Sequence, residues 1–226
     1  MRELYELCGA EPELVFSPYC WRVRLALLHK GLSFDSRPVR FTDKAQLAFS
    51  GQPLVPVLRD GEAVVSDSLA IFRYLDQRYP AQPLLGDALS GARLGLIDAL
   101  IQHSLPAGLF KALILRIQAV IDPADHAYFR QSREQKLGLP LEEFADPVAG
   151  QALLQQALKP LDALLATQAY LDGAAPAAAD YLVAGFFFWA WSLGEQPWDG
   201  DSPVGAWFQR LLGQYEAQLG PVKRAA

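Results

Sequence analysis

Cysteine, histidine and clustered basic residues are scarce in this chain, and each scarcity removes a class of function. Two cysteines, Cys8 and Cys20, are too few for a disulfide framework and lack the paired spacing of a zinc site, so a reducing compartment suits them. Three histidines, His29, His103 and His126, stand apart from one another without metal-ligand spacing or a Ser/Asp partner. Neither a metal centre nor a hydrolase triad is expected from them. There is no glycine-rich phosphate loop. Twenty Lys and Arg against 25 Asp and Glu give a formal net charge of −5, with no basic run to track phosphates, so nucleic acid is not an expected partner. The longest uncharged apolar run, Tyr181 to Gly194, has 14 residues, which is short of the ~20 a bilayer span requires and reads as a buried helix. Arg2, Glu3 and Glu6 put charge where a signal peptide needs an apolar stretch. A cytoplasmic chain with no membrane partner is expected.

What is present is enough for a substantial core. Of 226 residues, 51% are hydrophobic and 20% charged, the balance of a folded chain with room for one large domain or two small ones. Leu4 to Leu7 predicts a short strand, and Pro18 to Lys30 a helix in which Val23, Leu25, Ala26, Leu27 and Leu28 form one apolar face, stopped at Gly31. Ser33 to Val39 alternates as a second strand. Val55 to Arg59 and Ala63 to Val65 flank Asp60-Gly61, the signature of a hairpin. Ser66 or Asp67 can cap a helix carrying Leu69, Ile71, Phe72 and Leu75, ended by Pro80. The order βαβ-ββα over residues 1–80 is followed by a turn-rich linker at 81–89, and residues 90–226 read as helical almost throughout. Helices are expected over Ala92 to Val120, Val148 to Gln168, Asp180 to Leu193 and Val204 to Leu219, with Pro106 and Gly108 kinking or splitting the first. Asp122 to Asp146 reads as a short helix plus loops.

Three places can carry chemistry. Ser17-Pro18-Tyr19-Cys20 sits where a strand hands over to a helix, and the first helical turn offers free N–H groups and the positive end of the dipole. A serine hydroxyl there can donate to a thiolate and lower a bound thiol's pKa, although Ser as N-cap before Pro accounts for the pair by itself. Cys20 has the spacing of the second cysteine of a Cys-x-x-Cys motif whose first is replaced by Ser17, which leaves it as a small buried apolar residue. At Val55-Pro56, a cis bond would turn the Val55 main chain outward to pair with an extended peptide ligand. At Ser66-Asp67-Ser68, helix N–H groups suit a carboxylate and Asp67 suits an ammonium group, together matching an amino-acid zwitterion. Capping is again the plain alternative. The dense series Phe186-Phe187-Phe188-Trp189 and Trp191 serves either a core or an apolar cleft.

In this order and spacing, Ser17-Pro18-Tyr19-Cys20-Trp21-Arg22, Val55-Pro56-Val57-Leu58, Asp67-Ser68-Leu69-Ala70-Ile71 with Tyr74-Leu75, and Ala179-Asp180-Tyr181 resemble the cytosolic glutathione transferase family over nearly the whole chain. Ser17-Pro18-Tyr19, Ser132-Arg133-Glu134-Gln135 and Ala179-Asp180-Tyr181 are similar to bacterial β-aryl etherase-type and fungal ether-type transferases. Leu54-Val55-Pro56-Val57-Leu58 looks omega-like, and Ser17 followed by Trp21-Arg22-Val23-Arg24 looks zeta-like. The resemblance implies a thioredoxin-like N-terminal α/β domain that holds glutathione and an all-α C-terminal domain that supplies the electrophile pocket. It implies Ser17 as the thiolate-stabilising hydroxyl, Val55 beside cis-Pro56 as the partner of the cysteinyl backbone, and Asp67 and Ser68 at the γ-glutamyl end. Lys44 or Gln52 would reach the glycyl carboxylate, with Tyr19, Cys20 and Phe110 in the electrophile pocket. Glutathione as co-substrate, no metal, a hydrophobic electrophile with a halide or aryl-ether leaving group, and a homodimer complete the expectation. Two other readings stay open: a transferase fold that binds glutathione or an apolar ligand without turnover, and thiol redox work such as deglutathionylation through Cys20. One departure is Ala177, where the family places a Ser or Thr helix cap three residues before Asp180.

Overall fold

The computed structural model describes all 226 residues. Four strands, β1 (Arg2–Leu7), β2 (Asp35–Val39), β3 (Val57–Asp60) and β4 (Ala63–Ser66), form one sheet in the order β2-β1-β3-β4. β1 runs parallel to β2 and antiparallel to β3, and β3 and β4 form the expected hairpin. Pro38 lies on the edge strand β2, where a missing N–H breaks no ladder bond. Strand bounds differ from the expected ones by a few residues. Ser33 stays outside β2, and Val55 and Pro56 lie before β3 in a loop whose Val55–Pro56 bond is cis.

Helices α1 (Pro18–His29) and α2 (Ser68–Arg78) cover one face of the sheet. A 3-10 segment, Lys44–Ser50, packs Leu47 with Val39 and Val57; the hydrophobic pattern gave no sign of this element. The expectation of a single apolar face on α1 needs correcting. Cys20, Trp21, Arg22, Val23, Leu25, Ala26 and Leu27 are all buried, because a second layer covers the side away from the sheet.

That layer is helical. It comprises α3 (Ala88–Gln102), α4 (Leu105–Val120), α5 (His126–Leu137), the single turn α6 (Leu141–Phe144), α7 (Pro147–Leu165), α8 (Ala178–Ser192) and α9 (Pro203–Leu219). The helix expected from Ala92 to Val120 does split, but at His103-Ser104 rather than inside the Pro106–Gly108 stretch. Pro106 sits in the first turn of α4, where its lost N–H costs nothing. Gly108 instead lets α4 cross α7 closely, since a Cβ on it would come 2.8 Å from the Gly150 carbonyl oxygen. The Asp122–Asp146 region is more ordered than its composition suggests, with a 3-10 turn at Pro123–Asp125 leading into α5 and α6.

Helix α8 is buried along nearly its whole length and lies against α1. Gly185 makes that approach possible, because a Cβ there would collide with the Pro18 carbonyl oxygen and lie 2.8 Å from Arg22 Cγ. Trp21 Nε1 donates to Ser192 Oγ at 3.0 Å and Arg22 Nε to the Leu182 carbonyl at 3.0 Å, so the first helix of the sheet half is bolted to the central helix of the other. The main hydrophobic core runs through both halves, with the Val39, Leu47 and Val57 cluster beside it.

The connection at residues 79–87 is shorter than expected at its far end, because Asp87 caps α3 by accepting from the Ser90 N–H. It is also pinned. Asp76 accepts from the Leu84 and Leu85 N–H groups and pairs with the buried Lys30 ammonium at 2.6 Å, while Lys30 donates to the Tyr79 and Ala81 carbonyls.

Candidate functional site

A cleft of about 530 Å³ opens between the two halves, with Ser17 and Pro18 among the residues that line it. Ser17 is the N-cap of α1: its hydroxyl oxygen accepts from the Cys20 N–H at 3.4 Å, and its own proton meets no protein acceptor. The hydroxyl is thus fixed by the cap yet free to donate, at the positive end of a helix dipole and with only 6% of the residue exposed. Val55 lines the same cleft, and its backbone N–H and carbonyl form no bond within the protein.

Cys20 does not face this space. It is 1% exposed beneath Ser17, and burial, reinforced by the Glu6 charge, pushes its thiol up to about 12. Such a thiol holds almost no thiolate at neutral pH, so the expected place of Cys20 in the electrophile pocket is corrected to one behind the wall. Burial likewise pushes Cys8 up to about 11.

Of the other expected residues, Lys44, Tyr19 and Phe110 line the cleft with Ser17 and Val55, whereas Gln52, Pro56, Asp67 and Ser68 do not. Lys44 Nζ donates to the Tyr128 hydroxyl at 2.5 Å. Gln52 is spent on its own loop: its amide nitrogen donates to the Leu54 carbonyl and Ser66 Oγ, and its oxygen accepts from the Leu54 N–H. Tyr19 donates to Gln102 Oε1 at 3.0 Å, and its ring lies under the Arg22 guanidinium. At the start of α2, Asp67 is held at φ 77 while its Oδ1 accepts from the Leu69 and Ala70 N–H groups, leaving Oδ2 without a partner. Next to it, Ser68 Oγ is buried and unpartnered. Native structures rarely leave a buried hydroxyl unsatisfied, which sets this one apart.

The aromatic series of α8 divides its labour. Phe186 and Trp189 line the cleft, whereas Phe187 and Phe188 pack against Trp207, Phe208 and Tyr215 in the core. Sequence reading missed three contributors. Asp125, buried at the head of α5, accepts from the Phe41 and Thr42 N–H groups and so ties the loop after β2 to the helical half. Arg133 and Lys136 of α5 also line the cleft. An Asp behind a proline turn and charges on a polar helix carry no sequence signal for partners more than 80 residues away. No group of three or more His, Cys, Asp or Glu gathers to hold a metal, and no helix is long and apolar enough to cross a membrane.

Comparison with known proteins agrees with this architecture. Residues 12–83 match the family model for the glutathione S-transferase N-terminal domain, and residues 95–219 match that for the C-terminal domain. A probable maleylacetoacetate isomerase of Vibrio cholerae is 34% identical over 134 residues, covering 56% of this chain and 55% of that protein. The chain spans about a third to about half the length of the curated relatives it matches. Among solved structures, glutathione transferase GSTFuA3 of Phanerochaete chrysosporium superposes with a TM-score of 0.85 at 24% identity, over 95% of this chain and 97% of that one. A Ceriporiopsis subvermispora glutathione S-transferase solved in complex with glutathione gives 0.82 at 21% identity, over 96% and 97%. At these identities the structural likeness speaks for the fold. With both halves matched, and the C-terminal match alone spanning more than half of its length, the chain belongs to the glutathione S-transferase family.

Proposed function

We propose that the chain is a serine-type glutathione transferase that activates the thiol of glutathione for attack on an electrophilic carbon. The observation that carries this reading is the Ser17 hydroxyl, oriented by its cap bond and with a free proton, at a helix N-terminus in the floor of an apolar cleft. A donor so placed stabilises a thiolate more than a thiol and lowers the bound thiol's pKa. A free thiol near pKa ~8.5 is only a few per cent ionised at pH 7, and a fall of about two units makes it mostly nucleophilic. The sulfur then bonds to the electrophilic carbon, a halide or aryloxide leaves with the electron pair of its bond, and the thiol proton passes to solvent.

In this reading the free N–H and carbonyl of Val55 pair with the cysteinyl main chain, while Asp67 Oδ2 and Ser68 Oγ meet the γ-glutamyl ammonium and carboxylate. Lys44 is the candidate for the glycyl carboxylate, since the Gln52 amide is already engaged. A homodimer is part of the same reading. It is supported by α3, whose Leu89, Leu96 and Leu100 are exposed on one helical face, and sedimentation of the protein and of its Leu96→Glu variant tests it. The redox reading loses its nucleophile with the burial of Cys20.

The test is a pH titration of the thiolate absorbance of bound glutathione in the protein and in Ser17→Ala. The expected result is a bound thiol pKa well below that of free glutathione, rising by a unit or more in the variant. An unchanged pKa and turnover would reduce Ser17 to a helix cap, and saturable glutathione binding without conjugation of any electrophile would leave a binding protein.

A further inference from the structure

The outer wall of the cleft is cationic in a chain that is acidic overall. Arg40, Lys44, Arg133 and Lys136 all line it, and no Asp or Glu does. Arg40 pairs with Asp122 at 2.9 Å, and Lys44, without a carboxylate of its own, donates to the Tyr128 hydroxyl and is the candidate for the glycyl carboxylate. Arg133 has no carboxylate partner. Its guanidinium lies over the Phe41 and Phe129 rings, 5.5 and 5.2 Å from their centroids, and donates only to Ser132 Oγ at 3.1 Å. A guanidinium has five N–H donors in a planar fork. Half-buried against aromatic rings and without an anion, it has lost part of its hydration, and burial lowers its pKa. The arrangement is also stiff, because Asp125 binds the loop carrying Phe41 to the head of the helix carrying Arg133.

We propose that the second substrate carries an acidic group, a carboxylate or sulfonate on an aromatic or other apolar frame, which the Arg133 fork takes up with help from Lys136. The aromatic walls Phe110, Phe186 and Trp189 receive the frame, and Ser17 with the thiol faces its electrophilic carbon. This inference rests on the transferase reading above and adds to it the class of the electrophile. Arg133 is on this account a specificity-determining residue, and its charge counts for more in a half-enclosed cleft than it would on an open surface.

A matched pair of probes tests it: 4-chloro-3,5-dinitrobenzoate and its methyl ester. With either, glutathione sulfur bonds to the ring carbon bearing chlorine and chloride leaves with the electron pair. The expected result is an acid-to-ester ratio of kcat/KM, corrected for the uncatalysed rates, that favours the acid tenfold or more. In Arg133→Gln that ratio falls by about 10- to 100-fold, the usual worth of a hydrogen bond to a charged group. Arg133→Lys restores part of it, and Lys136→Gln lowers it less. An unchanged ratio overturns the proposal, as does a loss in Arg133→Gln that appears in the Kd for glutathione instead. If neither probe is conjugated, there is no rate to compare, and the transferase reading is decided separately by the Ser17→Ala titration. The acid site is then judged by quenching of tryptophan fluorescence with 3,5-dinitrobenzoate and its methyl ester, where selective weakening of the acid in Arg133→Gln sustains it and equal binding overturns it.

Discussion

The two sides of the cleft are built by different means. On the sheet side, a serine hydroxyl and the peptide groups of Val55 are each fixed by structure within a few residues, a helix cap at Ser17 and the loop before β3, with Arg40 and Lys44 of the segment after β2 at the rim. On the helical side the lining comes from α4, α5 and α8, and its polar groups are long charged side chains of α5 lying over aromatic rings. A local cap tolerates little change without losing its geometry. A wall assembled from three helices can exchange one side chain for another while the fold persists. In this molecule the first side is suited to a constant partner and the second to the partner that varies.

Substituting the floor should therefore slow every electrophile alike, and substituting the wall should reorder them. The largest effect is expected for Ser17→Ala, a fall in kcat/KM of about 10²- to 10³-fold, the size seen when one preorganised donor to a developing anion is removed. Initial rates on several unrelated electrophiles check it, and a loss confined to one of them would erase the distinction between the two sides. Phe110→Ala should instead change the ranking of those electrophiles and leave the bound thiol pKa where it was.

Next in size is Gly185→Ala, which breaks the floor from behind. The added Cβ meets the Pro18 carbonyl oxygen, so α1 and α8 must separate at the residue after the Ser17 cap. A loss of about 1–3 kcal/mol is expected, read as a drop of several degrees in Tm together with slower turnover. Unaltered stability would mean that the seam between the halves has slack.

How far the sequence reaches follows the same division. Ser17 and Asp67 are legible as caps because caps, turns and hairpins are contiguous signals; Asp60-Gly61 sits at the hairpin bend and Asp67 at the α2 cap, as expected. The burial of α1 on nearly every side is not legible, because its second cover, α8, lies about 160 residues downstream and only Gly185 marks the crossing. Arg133 looks like any charge on a polar helix until the fold sets Phe41 beneath it. The 3-10 segment from Lys44 to Ser50 is held by Leu47 alone among its buried residues, too little to produce a period. Local chemistry is read from neighbours, and tertiary chemistry from partners that the chain does not announce.

Asp125 joins the two sides, and its loss should weaken both. Its carboxylate accepts from two N–H groups of the 41–42 loop and from the Thr42 hydroxyl at 2.5 Å. Asp125→Ala leaves those donors without their acceptor in a buried site, at a cost of about 1–3 kcal/mol. Urea titration measures the loss, and faster amide exchange at Phe41 and Thr42 locates it. Protection unchanged at those two amides would show that the loop is held by something else.

The smallest effect concerns the helix that supports the wall. Ala177 is the N-cap of α8 and offers no side-chain acceptor, so the capping duty falls to one carboxylate before it and one after it. Asp180 Oδ2 accepts from the Ala177 N–H at 3.2 Å, completing the reciprocal half of a capping box, and Asp172 Oδ2 accepts from the Ala179 N–H at 2.8 Å in place of a serine at the cap itself. Asp172 also pairs with the half-exposed Arg93, a contact worth little at such exposure. Asp172→Ala should cost about 1 kcal/mol, the usual worth of a cap. Ala177→Ser should stabilise the native chain by less than that, since the N–H it would take is already bonded, yet it should recover most of the loss in an Asp172→Ala background. Thermal unfolding of the four proteins in that cycle gives the coupling directly. Strict additivity would show that Asp172 and the position of the missing serine do not serve the same helix end.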